Sequence, residues 1–164
     1  MRCGVPVAMA TVTVSVMAAA GIAGATPGAP AAGVPCWGFE ANSALYDAQT
    51  LTPQGEALIC AKTDQGSQWQ HLDGLQRPVE TWFTYGPSTT LSAGDIGPAI
   101  SWVSSPVKVD SVCTAVQTPS DGGPSVTHTN NTGQYRDFPL IANLDTLQLS
   151  GFCNWRKAWD RAPG

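Results

Sequence analysis

The clearest pattern in the chain is an alternation of apolar and polar residues with the period of a β-strand. In residues 107–117 alternate positions share one side of an extended chain, and residues 146–153 repeat the pattern. The first face carries Val107, Val109, Ser111, Cys113 and Ala115, and the second carries Leu147, Leu149, Gly151 and Cys153. Each strand therefore has its cysteine on its apolar side, which predicts a buried Cys113–Cys153 disulfide.

Shorter alternating runs, separated by Gly, Pro and Asn turns, predict further strands. We expect strands over residues 43–46, 57–61, 68–72 and 79–85, a loop over 86–98, a hairpin that joins 125–129 to 134–138, and a helical turn or a frayed end over 154–160. After the N-terminal apolar run, no long stretch has helical periodicity. The sequence therefore predicts an all-β fold: a disulfide-stapled antiparallel β-sandwich or open barrel with few or no helices.

The N-terminal residues 1–25 have the form of a signal peptide. Arg2 gives a short basic start, an apolar run rich in small residues follows, and Ala23-Gly24-Ala25 fits the cleavage rule. A retained membrane anchor is the alternative, which the scarcity of Leu, Ile and Phe disfavours. We therefore expect secretion to the medium or to the cell envelope, with no membrane span after cleavage.

The remaining chain is expected to contain a spacer and one domain. Residues 26–35 are rich in Pro, Ala and Gly and are expected to be disordered. Residues 36–164 are expected to form a single secreted β domain, in which 36–72 make a small disulfide-linked subunit and 79–155 make the main sheet.

The cysteine count supports this picture. The chain has five cysteines, and Cys3 leaves with the signal peptide. Four cysteines in an exported chain indicate two disulfides, for which three connectivities exist. Strand parity favours two pairs, Cys36–Cys60 and Cys113–Cys153.

Charge excludes two classes of partner. The chain has 8 basic and 12 acidic residues, a formal net charge of −4, and no basic run. Nucleic acids and anionic membrane surfaces attract clustered positive charge, so neither is an expected partner.

A search for catalytic motifs gives only weak candidates. The sequence has no G-x-S-x-G, no H-E-x-x-H and no phosphate-binding loop. A hydrolase would have to use His128 with Ser125 or Asp121, or His71 with Asp73. A metal cluster of His71, Asp73 and Asp64 is geometrically possible, but exposed polar residues beside a turn explain the same pattern. We expect no catalytic residues, no metal site and no cofactor.

Tryptophan gives the more informative signal for binding. Trp69, Trp82 and Trp102 lie in predicted strands and are expected in the core. Trp37, Trp155 and Trp159 lie near Cys36, Cys153 and the C-terminal end, where we expect exposure. Exposed tryptophans stack on sugars or anchor protein interfaces, and Arg156 can add cation–π contacts. The candidate binding residues are therefore Trp37, Trp155, Trp159 and Arg156; alternatively, these tryptophans only cover the ends of the sandwich.

The general layout of the chain combines the signal, the spacer, the two cysteine pairs and two distinctive segments, residues 100–107 and 130–140. In this layout the chain resembles small secreted proteins of actinobacterial type. The resemblance implies export and transfers no catalytic residues.

Three hypotheses about function follow. The first is an exported, non-enzymatic protein that binds an envelope or extracellular ligand, which is a glycan, a lipid or a protein. The second is a small secreted hydrolase that uses His128 or His71. The third is a structural or surface-exposed protein without a small-molecule ligand.

Overall fold

The computed structural model describes residues 28–36, 45–108 and 110–158. In this part of the chain, nine strands and one helical turn follow one another. The elements are β1 (Gln49–Leu51), β2 (Ala57–Thr63), β3 (Gly66–His71), β4 (Thr81–Ser92), α1 (Ala93–Ile96), β5 (Ser101–Pro106), β6 (Cys113–Pro119), β7 (Val126–Asn130), β8 (Arg136–Pro139) and β9 (Leu144–Lys157). The predicted all-β class is confirmed.

The strands form one sheet that does not close into a barrel. Its order is β3-β2-β1-β4-β9-β5-β8, while β6 pairs with both β9 and β7. Among these strands only β1 and β4 pair in parallel, through Gln49 and Trp82, so the sheet is mixed rather than purely antiparallel. Within the described residues, no helix combines the length and the apolar character needed to cross a membrane.

Strand β9 connects the sheet because it pairs with three other strands. On one side it pairs with β4; on the other it pairs first with β6 and then with β5. The change of partner takes place at Gly151, whose φ is +98° and which lies opposite Gly86. A Cβ on Gly151 would lie against the carbonyl oxygen of Val112, so the close approach of the chain requires glycine.

A β-bulge in β4 lies beside this bend. The pairing shifts between Gly86 and Thr89, so that β4 has one residue more than β9 at this point. Because side chains alternate between the two faces, the extra residue brings Leu91 to the same face as Trp82. The bulge thus keeps both ends of the strand on the core side.

The sheet buries a hydrophobic core on each face. The main core collects Val79, Trp82, Leu91, Ile96, Trp102, Cys113, Ala115, Phe138, Leu147, Leu149, Cys153 and Trp155. The second core collects Cys36, Leu45, Ala48, Leu58, Cys60, Trp69, Phe83 and Val107. The predicted disulfides Cys36–Cys60 and Cys113–Cys153 are confirmed, one in each core. The predicted burial of Trp69, Trp82 and Trp102 is confirmed as well.

The bent sheet faces itself across the main core. Gln117 of β6 is fully buried, and its Nε2 donates a hydrogen bond of 2.9 Å to the carbonyl oxygen of Pro139 at the end of β8. Its Oε1 accepts a hydrogen bond of 2.9 Å from the backbone N–H of Ile141. One side chain therefore joins the β6–β7 half of the sheet to the β5–β8 half.

Three predicted boundaries are wrong because the sequence does not reveal where long strands bend. Residues 86–92 continue β4 instead of forming a loop. The alternation predicted through 107–117 is interrupted, since β5 ends at Pro106 and β6 begins at Cys113. Residues 154–157 continue β9 instead of forming a helical turn or a frayed end.

The predicted hairpin is also wrong. Both strands exist, but β7 pairs with β6 and β8 pairs with β5. The connecting residues 131–135 lead the chain past the bend of the sheet instead of reversing it between two neighbours. The strand predicted at 43–46 lies partly outside the described residues, and strand pairing begins instead at Gln49.

Replacement of Gly151 tests the bend. We expect Gly151→Ala to lower the free energy of unfolding by at least about 3 kcal/mol, because backbone strain and a backbone clash add. Gly133→Ala is the matched control: Gly133 also has a positive φ, +71°, but an added Cβ there would have open space around it. The control should lose only about 1–2 kcal/mol. Urea denaturation measures both, and equal losses would contradict the role given to Gly151.

Candidate functional site

A cleft of about 130 Å³ opens between β7 and β8, over the main core. Strand β7 comes from one half of the bent sheet and β8 from the other, so the cleft lies where the edges of the two halves approach each other. Its lining residues are Ser104, Cys113, Thr127, His128, Thr129, Asn130, Arg136, Asp137, Phe138 and Trp155.

The floor of the cleft is aromatic and rigid. Phe138 and Trp155 meet edge to face with ring centroids 6.1 Å apart, and their exposed fractions are 4% and 1%. The Trp155 Nε1–H donates to Thr84 Oγ1 at 2.9 Å, so the indole has its buried polar group satisfied. The floor is therefore positioned by the core and presents little apolar surface of its own.

His128 forms one wall of the cleft. Its ring stacks on Phe138, with centroids 5.0 Å apart and an angle of 27° between the planes. Burial and, to a smaller extent, the positive charge of Arg136 lower the pKa of His128 below its usual value. Among the described residues no hydrogen bond engages its ring nitrogens, so the neutral imidazole can still donate to a ligand and accept from one.

Arg136 forms the second wall. It shares a face of β8 with Phe138, because residues two apart on a strand point the same way. Its Nη1 donates to the backbone oxygen of Thr129 at 3.1 Å. A guanidinium group has five N–H donors, and this bond uses one, so donors remain for a ligand.

A buried amide fixes the closed end of the cleft. Asn130 is 2% exposed, and its Nδ2 donates to Ser104 Oγ at 3.0 Å and to the backbone oxygen of Gln134 at 2.8 Å. Its Oδ1 accepts from Thr132 Oγ1 at 2.9 Å. The Asn130 side chain is thus fully used in holding β7, β5 and the 131–135 loop together.

Of the four binding residues suggested by the sequence, the structure describes two, Trp155 and Arg156. Trp37 and Trp159 lie outside the described residues. The expected exposure of Trp155 is wrong: β9 continues to Lys157, and alternation places residue 155 on the core side. Arg156 points to the opposite face, where its guanidinium lies 5.5 Å from the centre of the exposed Tyr135 ring.

Among the described residues, no hydrogen bond joins His71 to Asp73, or His128 to Ser125 or Asp121. His71 is exposed, and within the described residues no group of three His, Cys, Asp or Glu side chains is arranged to hold a metal ion. Asp121 accepts hydrogen bonds from the Gly123 N–H and from Asn143 Nδ2, and no hydrogen bond joins it or Ser125 to His128. Within the described residues, His128 therefore has no hydrogen bond to either partner that the hydrolase hypothesis assigns to it.

Sequence reasoning missed Arg136, Phe138 and Asn130 as site residues. The alternation of residues 134–138 would have placed Arg136 and Phe138 on one face. It gave no sign that this face would lie against His128, because that contact depends on the bend of the sheet.

No family model, curated protein or solved structure matches the chain.

The pKa of His128 tests the geometry of the cleft. Arg136→Gln removes a neighbouring positive charge, so we expect the pKa of His128, followed by NMR titration, to rise towards its usual value. Arg156→Gln is the control, because Arg156 lies on the opposite face of β9, and it should leave the titration unchanged.

The same shift predicts a pH dependence of stability. A histidine with a lowered pKa in the folded state binds a proton more readily when the chain unfolds. The contribution of neutral His128 to the free energy of unfolding is therefore complete above about pH 6.5, which is the pKa of histidine in the unfolded chain. This contribution is lost as the pH falls below that value. His128→Gln should flatten this part of the stability curve; an unchanged curve would contradict the assignment.

Proposed function

We propose that the protein is an exported, non-enzymatic binding protein and that its ligand site is the cleft between β7 and β8. The observation that carries the proposal is the convergence of His128 and Arg136, both with hydrogen-bonding groups to spare, over a rigid aromatic floor. Concave sites with a few converging polar groups are the usual form of ligand sites in proteins.

Export is supported by the cysteines. Both disulfides are buried in hydrophobic cores, and such bonds form and persist in oxidising compartments outside the cytosol. The signal-like residues 1–25 supply an export route in this proposal. The ligand is then an extracellular or envelope glycan, lipid or protein.

The lack of a hydrogen bond between His128 and any hydroxyl in the described residues favours binding over hydrolysis. General base catalysis requires the base within hydrogen-bonding reach of the group that it activates. His128 has an aromatic neighbour, Phe138, and a cationic neighbour, Arg136, and within the described residues no hydrogen bond joins it to the hydroxyl or carboxylate groups that also line the cleft. This environment suits recognition better than acyl transfer.

A comparison of two double variants tests the proposal. Three probes are titrated by calorimetry: soluble cell-wall glycan fragments, neutral lipid vesicles and a fractionated extracellular protein pool. We expect one of them to bind the wild type and to bind His128→Ala/Arg136→Gln at least about tenfold more weakly, a loss of about 1.4 kcal/mol.

The control variant is His71→Ala/Arg156→Gln. It removes the same residue types from positions outside the cleft and should retain wild-type affinity. If both double variants bind equally well, the cleft is not the ligand site. If no probe binds the wild type, the structural hypothesis replaces the proposal.

A further inference from the structure

The sheet has three edge strands, β3, β8 and β7, and they differ in how their unpaired edges are protected. At one end, residues 33–36 lie along β3: Gly33 N donates to Trp69 O, Trp69 N donates to Val34 O, and Cys36 N donates to Ser67 O, at 2.8, 2.9 and 3.1 Å. The Cys36–Cys60 disulfide holds this segment in place. Residues 33–35, assigned to the spacer by the sequence, thus cover the β3 edge.

At the other end, the edge of β8 is blocked. Leu140 N donates to Ile100 O, so alternation directs the polar backbone groups of Asp137 and Pro139 away from β5. Pro139 has no N–H, and its oxygen is already bonded to Gln117. The strand is four residues long and begins with two charged residues, which also discourages pairing.

The edge of β7 has less protection: among the described residues, the Arg136 side chain bonds one of its outward backbone groups, Thr129 O. Its sequence, Val-Thr-His-Thr-Asn, contains no proline, lysine or acidic residue, and β-branched residues favour the extended form. Thr114 O points towards β9, where Ser150 Oγ donates to it, so Thr114 and Thr129 form a pair without ladder hydrogen bonds between β6 and β7. Alternation therefore directs the backbone groups of Thr127 and Thr129 away from β6, and on that side Thr129 O accepts from Arg136 Nη1. Beside the cleft, no hydrogen bond within the described residues engages Thr127 N, Thr127 O or Thr129 N, whereas Thr129 O is bonded to Arg136.

We propose that β7 binds an extended peptide by strand addition, with a carboxylate of that peptide held by Arg136 and His128 in the cleft. The inference rests on the proposed function, since it uses the same site and specifies its ligand. Main-chain hydrogen bonds supply affinity in this mode, and a pocket for one side chain supplies specificity.

The charge of the cleft favours a peptide that carries a carboxylate. Arg136 offers unused guanidinium donors, which pair best with carboxylates, and His128 stands beside it. Asp137 also lines the cleft, but it alternates with Arg136 along β8 and so points to the other face.

A second copy of the chain fits less well. Its formal net charge is −4, and a five-residue edge is far smaller than the roughly 20–30 residues per partner of a stable interface. A short peptide needs no interface of that size.

The test starts from a random nine-residue peptide library with free C termini, selected on the full-length secreted protein. We expect selected peptides to carry a carboxylate, as an acidic side chain or at the C terminus, and amide replacement of each distinguishes these sources. N-methylation of the peptide backbone should weaken binding at least about tenfold at alternate residues only, because a strand directs every second N–H to its partner.

Two variants of the protein complete the test. Thr127→Pro removes an outward N–H that β6 does not use, so the strand should still fold, while peptide affinity falls at least about tenfold. Thr127→Val keeps the N–H and the branched shape and should bind normally. Arg136→Gln should abolish the preference for the carboxylate over its amide.

The outcomes separate the two proposals. If cleft-dependent binding of a glycan or lipid persists and no peptide is selected, strand addition is overturned and the proposed function stands. Peptides that bind without alternating sensitivity to N-methylation, or that bind Thr127→Pro normally, also overturn it. Concentration-dependent dimerisation that Thr127→Pro abolishes, without peptide binding, would assign the edge to a second copy instead.

Discussion

The fold depends on the bend of β9 at Gly151. On one side of β9 the neighbour changes at Gly151, with β6 beside its first half and β5 beside its second. At Gly151, the backbone of Val112 occupies the space that a side chain of residue 151 would need. The main core, the cleft and the meeting of β7 with β8 all follow from this one change of partner.

The disulfides reinforce the two faces separately. Cys113–Cys153 ties β6 to β9 beside the bend, and Cys36–Cys60 ties the segment that covers β3 to β2. By the loop-entropy model each bridge contributes about 3–4 kcal/mol.

Strand class and cysteine pairing followed from the sequence because both depend on parity within single strands. Cys113 and Cys153 lie on apolar faces whether or not their strands are straight. The predicted Cys113–Cys153 disulfide is therefore correct although the strand boundary predicted at residues 107–112 is wrong. Strand pairing depends on the bend, which the sequence signals only through Gly86 and Gly151. Neither glycine identifies the neighbours of β7 and β8, and the turn-like residues 130–133 favour a hairpin between two strands that the bend separates.

The order of the strands along the chain has a consequence for folding. The central strand, β9, follows all the other described strands in sequence, so β4, β5 and β6 lack their common partner until residues 144–157 have been synthesised. Contacts between distant parts of a chain form slowly, and a sheet without its centre cannot bury its core. A chain that lacks residues 144–157 therefore cannot assemble the main core, so the main core forms only after the last described strand is available.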